Sequence, residues 1–513
     1  MKKLPIGKQT FEVLKEGDYL YVDKTADIHR LITEGDVYFL SRPRRFGKSL
    51  LVSTLKAIFE GRRDLFEGLA IDGLDYDWKT HPVLHVDFSA EKVSDPRALE
   101  TYLAERIELA AGQWGAGATG GSTYTGRLRH LLQGSSERVA ILIDEYDKPI
   151  LDHIENPELA AEMREVLKGF YTTIKSCDAH LRFVLLTGVS KFAKMSVFSG
   201  LNNLKDISMD RRYATTLGYT QAELEQYFEE GIEALANQDQ CSRVECLDRV
   251  RDWYNGYVFA AGAERVYNPF STLLLFDTLE FRNYWYESGT PTFLVKLLRE
   301  RGDYLGAYDG REVGAAAFSN FEIENLDPVP LLLQTGYLTL ADKLSEDLFR
   351  IAYPNREVAR SFEESLVVGF SRVQASDVAS HRHALLRALN AGDADRLFET
   401  MRIFFADIPH DIQLRREKYY QSIFYLVFRM LGAGIDAEVR TGRGRIDAVA
   451  QTDDTVYVFE FKLHGTAEEA LEQAVSREYA LKYKGGEKAV RVFGVAFDQE
   501  TRNIGQWREA ATD

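Results

Sequence analysis

Short apolar runs alternate with longer amphipathic stretches up to about residue 200. The apolar runs occupy residues 37–41, 83–88, 139–144 and 182–188, and helical periodicity occupies residues 49–60 and 95–111. Strands that are apolar on both faces are typical of a parallel sheet covered by helices on each side. The pattern therefore predicts an α/β fold for this part of the chain.

The pattern becomes mostly helical from about residue 220. Thr220 and Glu223 form a capping box that opens a predicted helix over residues 218–235. Aromatic clusters at residues 253–259 and 281–289 follow without strands at regular spacing. We interpret the stretch from about 200 to 400 as a helical lid and connector region.

The C-terminal part predicts a compact α/β module of its own. Helical patterns cover residues 415–432 and 467–483, and strand patterns cover residues 436–440, 445–450, 455–463 and 489–497. The predicted domains are an α/β core at 1–215, the mainly helical region at 216–400 and this module at 401–513.

Length and composition indicate a folded protein of several domains. The chain has 513 residues, of which 45% are hydrophobic and 28% charged, and a domain usually takes about 150 residues. Three cysteines (Cys177, Cys241 and Cys246) are too few for a disulfide framework and indicate reduced thiols. The sequence shows neither an apolar run of membrane-spanning length nor a signal peptide. We therefore expect a cytoplasmic protein without membrane insertion.

The charge is unevenly distributed. Acidic residues outnumber basic residues by 79 to 63, a formal charge of −16, which excludes a protein that is basic throughout. From residue 411 onward there are 15 basic and 17 acidic side chains, so residues 1–410 carry −14. We expect nucleic acid, DNA in the first place, to contact the C-terminal part. The acidic remainder suits protein partners, and a homo-oligomer is compatible with it.

The first apolar run leads directly into a candidate phosphate-binding loop. Gly47, Lys48 and Ser49 have the order that ends a P-loop at the start of a helix. In such a loop, backbone N–H groups and the lysine contact phosphate oxygens, and the serine hydroxyl coordinates magnesium. The sequence therefore predicts an ATP and Mg²⁺ site.

Three arginines belong to the same loop. Arg42 stands where the spacing GxxxxGK[ST] would place the first glycine. Arg44 and Arg45 have guanidinium groups that suit phosphate oxygens. A solvated pair of charges is the alternative interpretation of Arg44 and Arg45.

A second apolar run, VAILIDE, ends in two acids that complement the loop. Asp144 would hold magnesium, and Glu145 would polarise the attacking water. An acidic strand end capped by solvent is the common alternative, but the upstream GKS favours a nucleotide site. Thr187, at the end of the next apolar run, would sense the terminal phosphate or act as a turn residue.

The C-terminal module contains a second cluster of charged residues. Asp447 lies in one predicted strand, and Glu460 and Lys462 project from one face of the next because residues i and i+2 share a face. A hairpin at residues 451–454 would bring Asp447 to Glu460. Two carboxylates and a lysine suit metal-assisted phosphodiester cleavage. A surface salt-bridge ladder is the alternative, which the apolar flanks of this strand disfavour.

Further polar residues surround this cluster. Glu417 would supply another metal ligand or would be an ordinary surface glutamate, and Gln473 and Arg477 lie one turn apart on the following helix. Arginines that would clamp a nucleic-acid backbone stand before Asp447, at Arg440, Arg443 and Arg445.

Together, these motifs resemble the bacterial AAA-ATPase-like family with a C-terminal PD-(D/E)XK nuclease domain. The matching segments are YVDKTADIHRLI, FLSRPRRFGKSLLVSTL, ILIDEYDKPI, LLTGVSKFAKMSVFSGLNNL, WYNGYVF, VYNPFS and LLQTGYLTL, followed by GRGRIDAVA, VFEFKL and EQAVSREYALKY. In this family RPRRFGKS is the usual loop, so Arg42 follows the pattern. YVDKT, residues 21–25, matches a family block that we place near the nucleotide base.

The resemblance implies roles for individual residues. Nucleotide contacts would come from Lys48, Ser49, Asp144 and Glu145. The nuclease pattern would place Glu417, Asp447, Glu460, Lys462 and Gln473 at catalytic positions. Tyr479 departs from the pattern because it lies six residues after Gln473.

Three functions fit these observations. The leading hypothesis is a magnesium-dependent DNA nuclease governed by an ATP-binding module. The second is an ATP-dependent switch whose nuclease-like domain binds nucleic acid without cutting it, and the third is a signalling ATPase that senses a protein partner. Arg211 and Arg212 are candidates for an arginine finger by position alone.

Overall fold

The structure is a computed structural model in which two compact units are distinguished. It describes residues 2–116, 120–191, 203–287, 292–301, 308–318, 327–371, 373–408, 434–441, 444–462, 464–478, 488–498 and 503–510, with isolated positions at 423, 426, 427, 483, 500 and 501. The first unit comprises Met1–Trp285 and Glu312–Glu357, and the second unit comprises Tyr286–Arg311 and Val358–Asp513. The three predicted domain boundaries stay a prediction.

A five-stranded parallel sheet forms the centre of the first unit. Its strands are β1 (Val37–Ser41), β2 (Val83–Asp87), β3 (Val139–Asp144), β4 (Leu181–Gly188) and β5 (Lys205–Asp206), in the order β2-β3-β4-β1-β5. β1 and β3 are buried at every position, as the apolar runs require. The α/β prediction and its four strands are confirmed, and β5 is an additional short edge strand.

Helices in the same part of the chain cover this sheet. They are α1 (Phe11–Glu16), α2 (Thr25–Glu34), α3 (Lys48–Phe59), α4 (Pro96–Gln113), α5 (Tyr124–Gly134), α6 (Lys148–Leu151) and α7 (Pro157–Ser176). α3 packs its buried face on the sheet through Leu51, Leu55 and Ile58. The predicted helices at 49–60 and 95–111 are confirmed as α3 and α4.

The middle of the chain is largely helical, as predicted. Its helices are α8 (Gln221–Tyr227), α9 (Glu229–Gln238), α10 (Arg243–Tyr254), α11 (Pro269–Thr278), α12 (Tyr284–Glu287), α13 (Thr292–Arg301), α14 (Pro328–Thr335), α15 (Arg356–Ser371), α16 (Ala375–Asn390) and α17 (Ala394–Ala406). The capping box of Thr220 and Glu223 is present. The prediction of a single helix over residues 218–235 is wrong, because the helix is interrupted at Phe228, between α8 and α9.

A small antiparallel sheet in this region was missed by sequence reasoning. Its strands are β6 (Glu312–Gly314), β7 (Thr339–Lys343) and β8 (Leu348–Ala352), in the order β6-β8-β7. The register shifts between Leu340 and Asp342, and such an irregularity interrupts the alternation by which a strand is recognised.

Among the described residues, no helix combines the length and the apolar character needed to cross a bilayer.

The second unit contains a mixed five-stranded sheet. Its strands are β9 (Gly434–Thr441), β10 (Gly444–Gln451), β11 (Thr455–Lys462), β12 (Ala489–Asp498) and β13 (Asn503–Glu509), in the order β13-β12-β11-β10-β9. β11 and β12 are parallel, and the other neighbours are antiparallel. The hairpin between β10 and β11 is confirmed, and β13 is an additional strand.

Of the helices that pack on this sheet, the one at residues 467–476 is shorter than predicted. α18 (Ala467–Ser476) begins with the predicted capping box of Thr466 and Glu469. It ends at Ser476 because Glu478 adopts φ +53°, which interrupts the helix predicted to reach residue 483. The predicted helix at 415–432 lies outside the described residues except for isolated positions.

Candidate functional site

The expected phosphate loop lies between the carboxyl end of β1 and the start of α3. Gly47 precedes the helix with φ +90°, in the left-handed region that glycine adopts without strain. Space is not the constraint, because a Cβ at Gly47 would meet nothing within 4 Å. Lys48 and Ser49 open the helix, whose first N–H groups have no partner within the helix. The local geometry is that of an anion-binding helix start.

The Lys48 side chain is held within this loop. It is 6% exposed, and its Nζ donates hydrogen bonds to the backbone oxygens of Arg42 (2.9 Å) and Pro43 (3.0 Å). Burial lowers the pKa of the Lys48 ammonium, and the carboxylates of Asp144 and Glu145 oppose that effect. The ammonium is therefore placed on neutral acceptors that a phosphate oxygen could replace.

The Arg42 side chain is buried in the first unit and supports the phosphate loop through hydrogen bonds to backbone oxygens. Its guanidinium donates to the backbone oxygens of Ser41 (2.9 Å), Ser208 (2.8 Å) and Tyr213 (3.0 Å), and lies 4.1 Å from the ring centre of Phe259. Burial lowers the pKa of Arg42 to about 9. The sequence spacing does not show where the Arg42 side chain lies, so sequence reasoning missed these hydrogen bonds.

Arg44 and Arg45 are exposed on the loop. Arg45 has φ +66°, and its guanidinium lies 4.9 Å from the ring centre of Phe270. The backbone oxygen of Arg44 accepts a hydrogen bond of 3.0 Å from Trp285 Nε1. Phosphate contacts by both guanidinium groups stay a prediction.

The two acids at the end of β3 lie in the environment expected of a nucleotide site. Asp144 is 1% exposed and accepts hydrogen bonds from Thr187 Oγ1 and, at 3.1 Å, from the Glu145 N–H. Glu145 has φ +51°, a strained conformation of the kind that clusters at functional sites. Burial raises the pKa of Glu145, while Lys48 opposes the shift. The Thr187 hydroxyl thus contacts the predicted magnesium ligand, and its contact with a phosphate stays a prediction.

Asp147 fixes the loop that follows β4, a role that sequence reasoning missed. It accepts hydrogen bonds from the N–H of Val189 (3.1 Å) and from the N–H (2.7 Å) and Oγ (2.8 Å) of Ser190. Tyr146 OH donates to the Ser190 carbonyl at 2.8 Å. A Cβ at Gly188 would lie 2.6 Å from the Tyr146 ring, so only glycine fits there. The run DEYD carries the signal, because its fourth residue is also acidic.

Two cavities flank the phosphate loop. One is largely apolar and reaches Gly47, with walls that include Tyr21, Val22, Leu50, Leu217 and Tyr219. The other is polar and is lined by Ser49 and Asp144 together with Ser53, Lys56, His85 and Asp87. The predicted magnesium ligands Ser49 and Asp144 therefore line the same cavity, which is distinct from the apolar one.

The YVDKT block lines the apolar cavity and ties the surrounding elements together. Asp23 accepts hydrogen bonds from Thr25 N–H (2.8 Å) and Ala70 N–H (2.7 Å). Lys24 forms an ion pair with Glu223 at 2.6 Å. The block thus connects the start of α2 to the start of α8, next to the cavity that reaches the phosphate loop.

The second site lies on β10 and β11 of the second unit. Asp447 Oδ2 accepts a hydrogen bond of 2.8 Å from the Phe461 N–H, which confirms that it meets β11 across the hairpin. Gln473 on α18 bridges the other two residues: its amide nitrogen donates to Glu460 Oε1, and its amide oxygen accepts from Lys462 Nζ at 2.6 Å. The structure therefore brings Asp447, Glu460, Lys462 and Gln473 together.

Glu460 has the features of a cation ligand. It is 2% exposed, and its Oε2 is buried without a hydrogen-bond partner among the described residues. Burial, with a further contribution from Asp447, raises the pKa of Glu460 to about 8. Within the described part of the chain, groups of three or more metal-binding side chains are absent. Two carboxylates completed by waters nevertheless suit Mg²⁺, which usually keeps several waters.

Several predicted residues lie outside the described parts of the chain. Glu417 and Tyr479 are among them, and so is Arg443; the structure describes the backbone but not the side chains of Arg440 and Arg445.

Arg477 is exposed just after α18, where it favours the ionised form of Glu460. Arg212 pairs with Asp210 and Glu34 on the surface.

The fold is that of a P-loop-type α/β unit followed by a restriction-endonuclease-like α/β domain. Comparison with family models gives the same two classes. Residues 5–198 match the AAA-ATPase-like family, described as predicted AAA-ATPase. Residues 415–507 match a family of the PD-(D/E)XK nuclease superfamily.

A curated relative extends the similarity to nearly the whole chain. The uncharacterized protein in the vnfD 5′ region of Azotobacter chroococcum mcd 1 is 41% identical over 518 residues, which cover 98% of each protein. A solved structure of the Aeropyrum pernix ORC1 protein in complex with DNA is 12% identical, with 66% of this chain and 92% of that chain covered, but its TM-score of 0.24 is too low to support an argument. The chain belongs to the AAA-ATPase-like family that carries a C-terminal PD-(D/E)XK nuclease-superfamily domain.

Proposed function

We propose that this protein is a magnesium-dependent nuclease that cuts DNA under the control of bound ATP. The observation that carries the proposal is the buried, unpartnered Oε2 of Glu460 beside Asp447 and Lys462. A buried carboxyl oxygen without a hydrogen-bond partner destabilises a fold. A bound cation would remove that penalty and give the group a function.

The residues of the second unit divide the chemistry between them. Asp447 and Glu460 would hold the cation, which supplies an activated water and neutralises charge on the phosphodiester when bound. Lys462, on the same strand face as Glu460, would stabilise negative charge on the phosphate oxygens. Gln473 is a positioning residue, because its amide holds Lys462 Nζ and Glu460 at once. Glu417 stays a proposed further ligand.

The first unit would bind ATP around the start of α3. The N–H groups after Gly47 and the ammonium of Lys48 would contact the phosphates, and Arg44 and Arg45 would add charge on the open side. The apolar cavity beside Gly47 suits the base. Ser49 and Asp144 would hold Mg²⁺, and Glu145 would accept a proton from the attacking water at its carboxylate. Thr187 keeps Asp144 oriented through its hydroxyl.

The same proposal places the protein in the cytoplasm. Cys177, Cys241 and Cys246 are all free thiols, which suits a reducing compartment. DNA would contact the second unit, and the acidic first part of the chain would leave surfaces for a protein partner or a further copy of the chain.

A plasmid cleavage assay tests the proposal. Purified full-length protein is incubated with supercoiled DNA and Mg²⁺ or Mn²⁺, with and without ATP. Asp447→Ala and Lys462→Ala should abolish cutting and retain ATP binding, whereas Asp453→Ala, which removes an exposed acid from the same hairpin, should cut like wild type. DNA binding without cutting by the wild type would favour the non-cleaving switch instead. Equal activity of all four proteins would refute the nuclease site.

A further inference from the structure

The phosphate loop is hydrogen-bonded to Trp285, which is hydrogen-bonded in turn to Glu357. Trp285 Nε1 donates to the backbone oxygen of Arg44 at 3.0 Å, and the Trp285 N–H donates to Glu357 Oε1 at 2.7 Å. Trp285 and Glu357 are the last residues of the two first-unit segments that continue into the second unit. Trp285 thus links the phosphate loop to two of the three positions at which the chain passes from one unit to the other.

The side chains of Trp285 and Glu357 are both buried. Trp285 is 5% exposed and its ring centre lies 5.1 Å from that of Tyr337, while Glu357 is fully buried. Glu357 Oε2 also accepts a hydrogen bond of 2.8 Å from Ser271 Oγ. Hydrogen bonds to a buried carboxylate are stronger than those to neutral groups, so the position of Glu357 is tightly coupled to that of Trp285.

The helices that hold these residues cross the boundary between the units. α12 contains Trp285 and continues to Glu287, and α15 contains Glu357 and continues to Ser371. The unit boundary falls after the second residue of each helix. A displacement of Trp285 or Glu357 would therefore move the first turn of a helix whose later residues belong to the second unit.

The loop itself is poised to change when phosphate binds. Lys48 Nζ is held by the carbonyls of Arg42 and Pro43, directly before Arg44. Contact with a phosphate would draw the ammonium away from those carbonyls. The loop also packs closely against Gly336, where a Cβ would lie 2.7 Å from the Pro43 side chain. Because the Arg44 carbonyl is hydrogen-bonded to Trp285, a movement of the loop at Arg44 would displace Trp285.

We propose that Trp285 and Glu357 form a relay through which nucleotide binding at the phosphate loop sets the activity of the nuclease site. The relay rests on the proposed function, because it requires both a nucleotide and a cleavage reaction. Trp285 and Glu357 act through other groups and contact neither substrate. Coupling between distant sites typically changes affinity or activity by about 5- to 150-fold.

Hydrogen exchange of the full chain, with and without a nonhydrolysable ATP analogue and Mg²⁺, tests the relay. In the wild type, exchange should change in peptides over residues 41–49, 284–301 and 356–371. Trp285→Phe removes the Nε1–H donor but keeps an aromatic ring, so it should retain the response at 41–49 and lose the other two. Glu357→Gln, which keeps the size of the side chain, should weaken them as well. Trp78→Phe is the matched control, since Trp78 packs between Phe66 and Tyr76 in the α/β core.

Cleavage measured on the same variants completes the test. The ratio of cleavage rates with and without nucleotide should fall to about 1 in Trp285→Phe, while its nucleotide-free rate stays that of the wild type. Two results would overturn the relay but leave the proposed function standing. In one, the wild type responds at residues 41–49 but not at 284–301 and 356–371. In the other, Trp285→Phe responds at 284–301 and 356–371 as strongly as the wild type. The lack of any wild-type response at 41–49 refutes nucleotide binding, and hence the proposed function itself.

Discussion

The buried carboxyl of Glu460 gives a quantitative prediction about stability in the absence of metal. Its pKa of about 8 in the folded protein compares with an ordinary value of 4.5, and a shift of one pKa unit corresponds to about 1.4 kcal/mol. Burial raises the pKa of Glu460 in the folded protein above its value in the unfolded chain. The contribution of Glu460 to stability is therefore complete below the unfolded-state pKa and is lost as the pH rises through the folded-state pKa. Between pH 4.5 and 8 the opening free energy of the sheet should fall by roughly 3 to 5 kcal/mol.

Glu460→Gln removes this dependence because an amide does not ionise. The assay is hydrogen exchange of β11 and β12 in full-length protein with EDTA, across this pH range and corrected for intrinsic exchange rates. The decline should be present in the wild type and in Glu472→Gln, an exposed glutamate on α18, and absent in Glu460→Gln. The same pH slope in Glu460→Gln and wild type would refute the account of Glu460 as a buried carboxyl whose pKa is raised by burial. Mg²⁺ should restore protection above pH 8 in the wild type and in Glu472→Gln, and should have no such effect in Glu460→Gln.

Three further predictions concern the first unit. Glu145→Gln should lower single-turnover ATP hydrolysis by about 10²- to 10⁴-fold while binding of a fluorescent ATP analogue persists; equal loss of both would count against the role of a base. Gly188→Ala should lower the free energy of unfolding by about 1–3 kcal/mol through overlap with Tyr146, whereas Gly134→Ala, with open space around it, should not; thermal unfolding compares them. Thr187→Val should weaken Mg-dependent hydrolysis about tenfold by releasing Asp144, and an unchanged metal titration would contradict this.

Much of the fold could be predicted because its strands are either apolar throughout or bounded by clear turns. β1 and β3 are continuous apolar runs, and the hairpin between β10 and β11 follows from the polar residues 451–454. β5, with two residues, and the irregular β7 have too little periodicity to be recognised. Tertiary packing decides such elements.

The candidate sites were predictable to different depths. Position at a strand end located Asp144 and Glu145, whereas the shared strand face and the predicted hairpin located Asp447 and Glu460. Contacts between distant segments were out of reach. The bridge from Gln473 to both Glu460 and Lys462 is one example, and the 241-residue separation between Arg44 and Trp285 is another.

The central claim is that Asp447 and Glu460 hold a divalent cation at the nuclease site. Electron paramagnetic resonance of free Mn²⁺ during titration of the full-length protein, without nucleotide, measures this binding directly. We predict Mn²⁺ binding by the wild type and by Asp453→Ala, and its loss in Asp447→Ala and Glu460→Gln. Binding of equal affinity in all four proteins would contradict the claim.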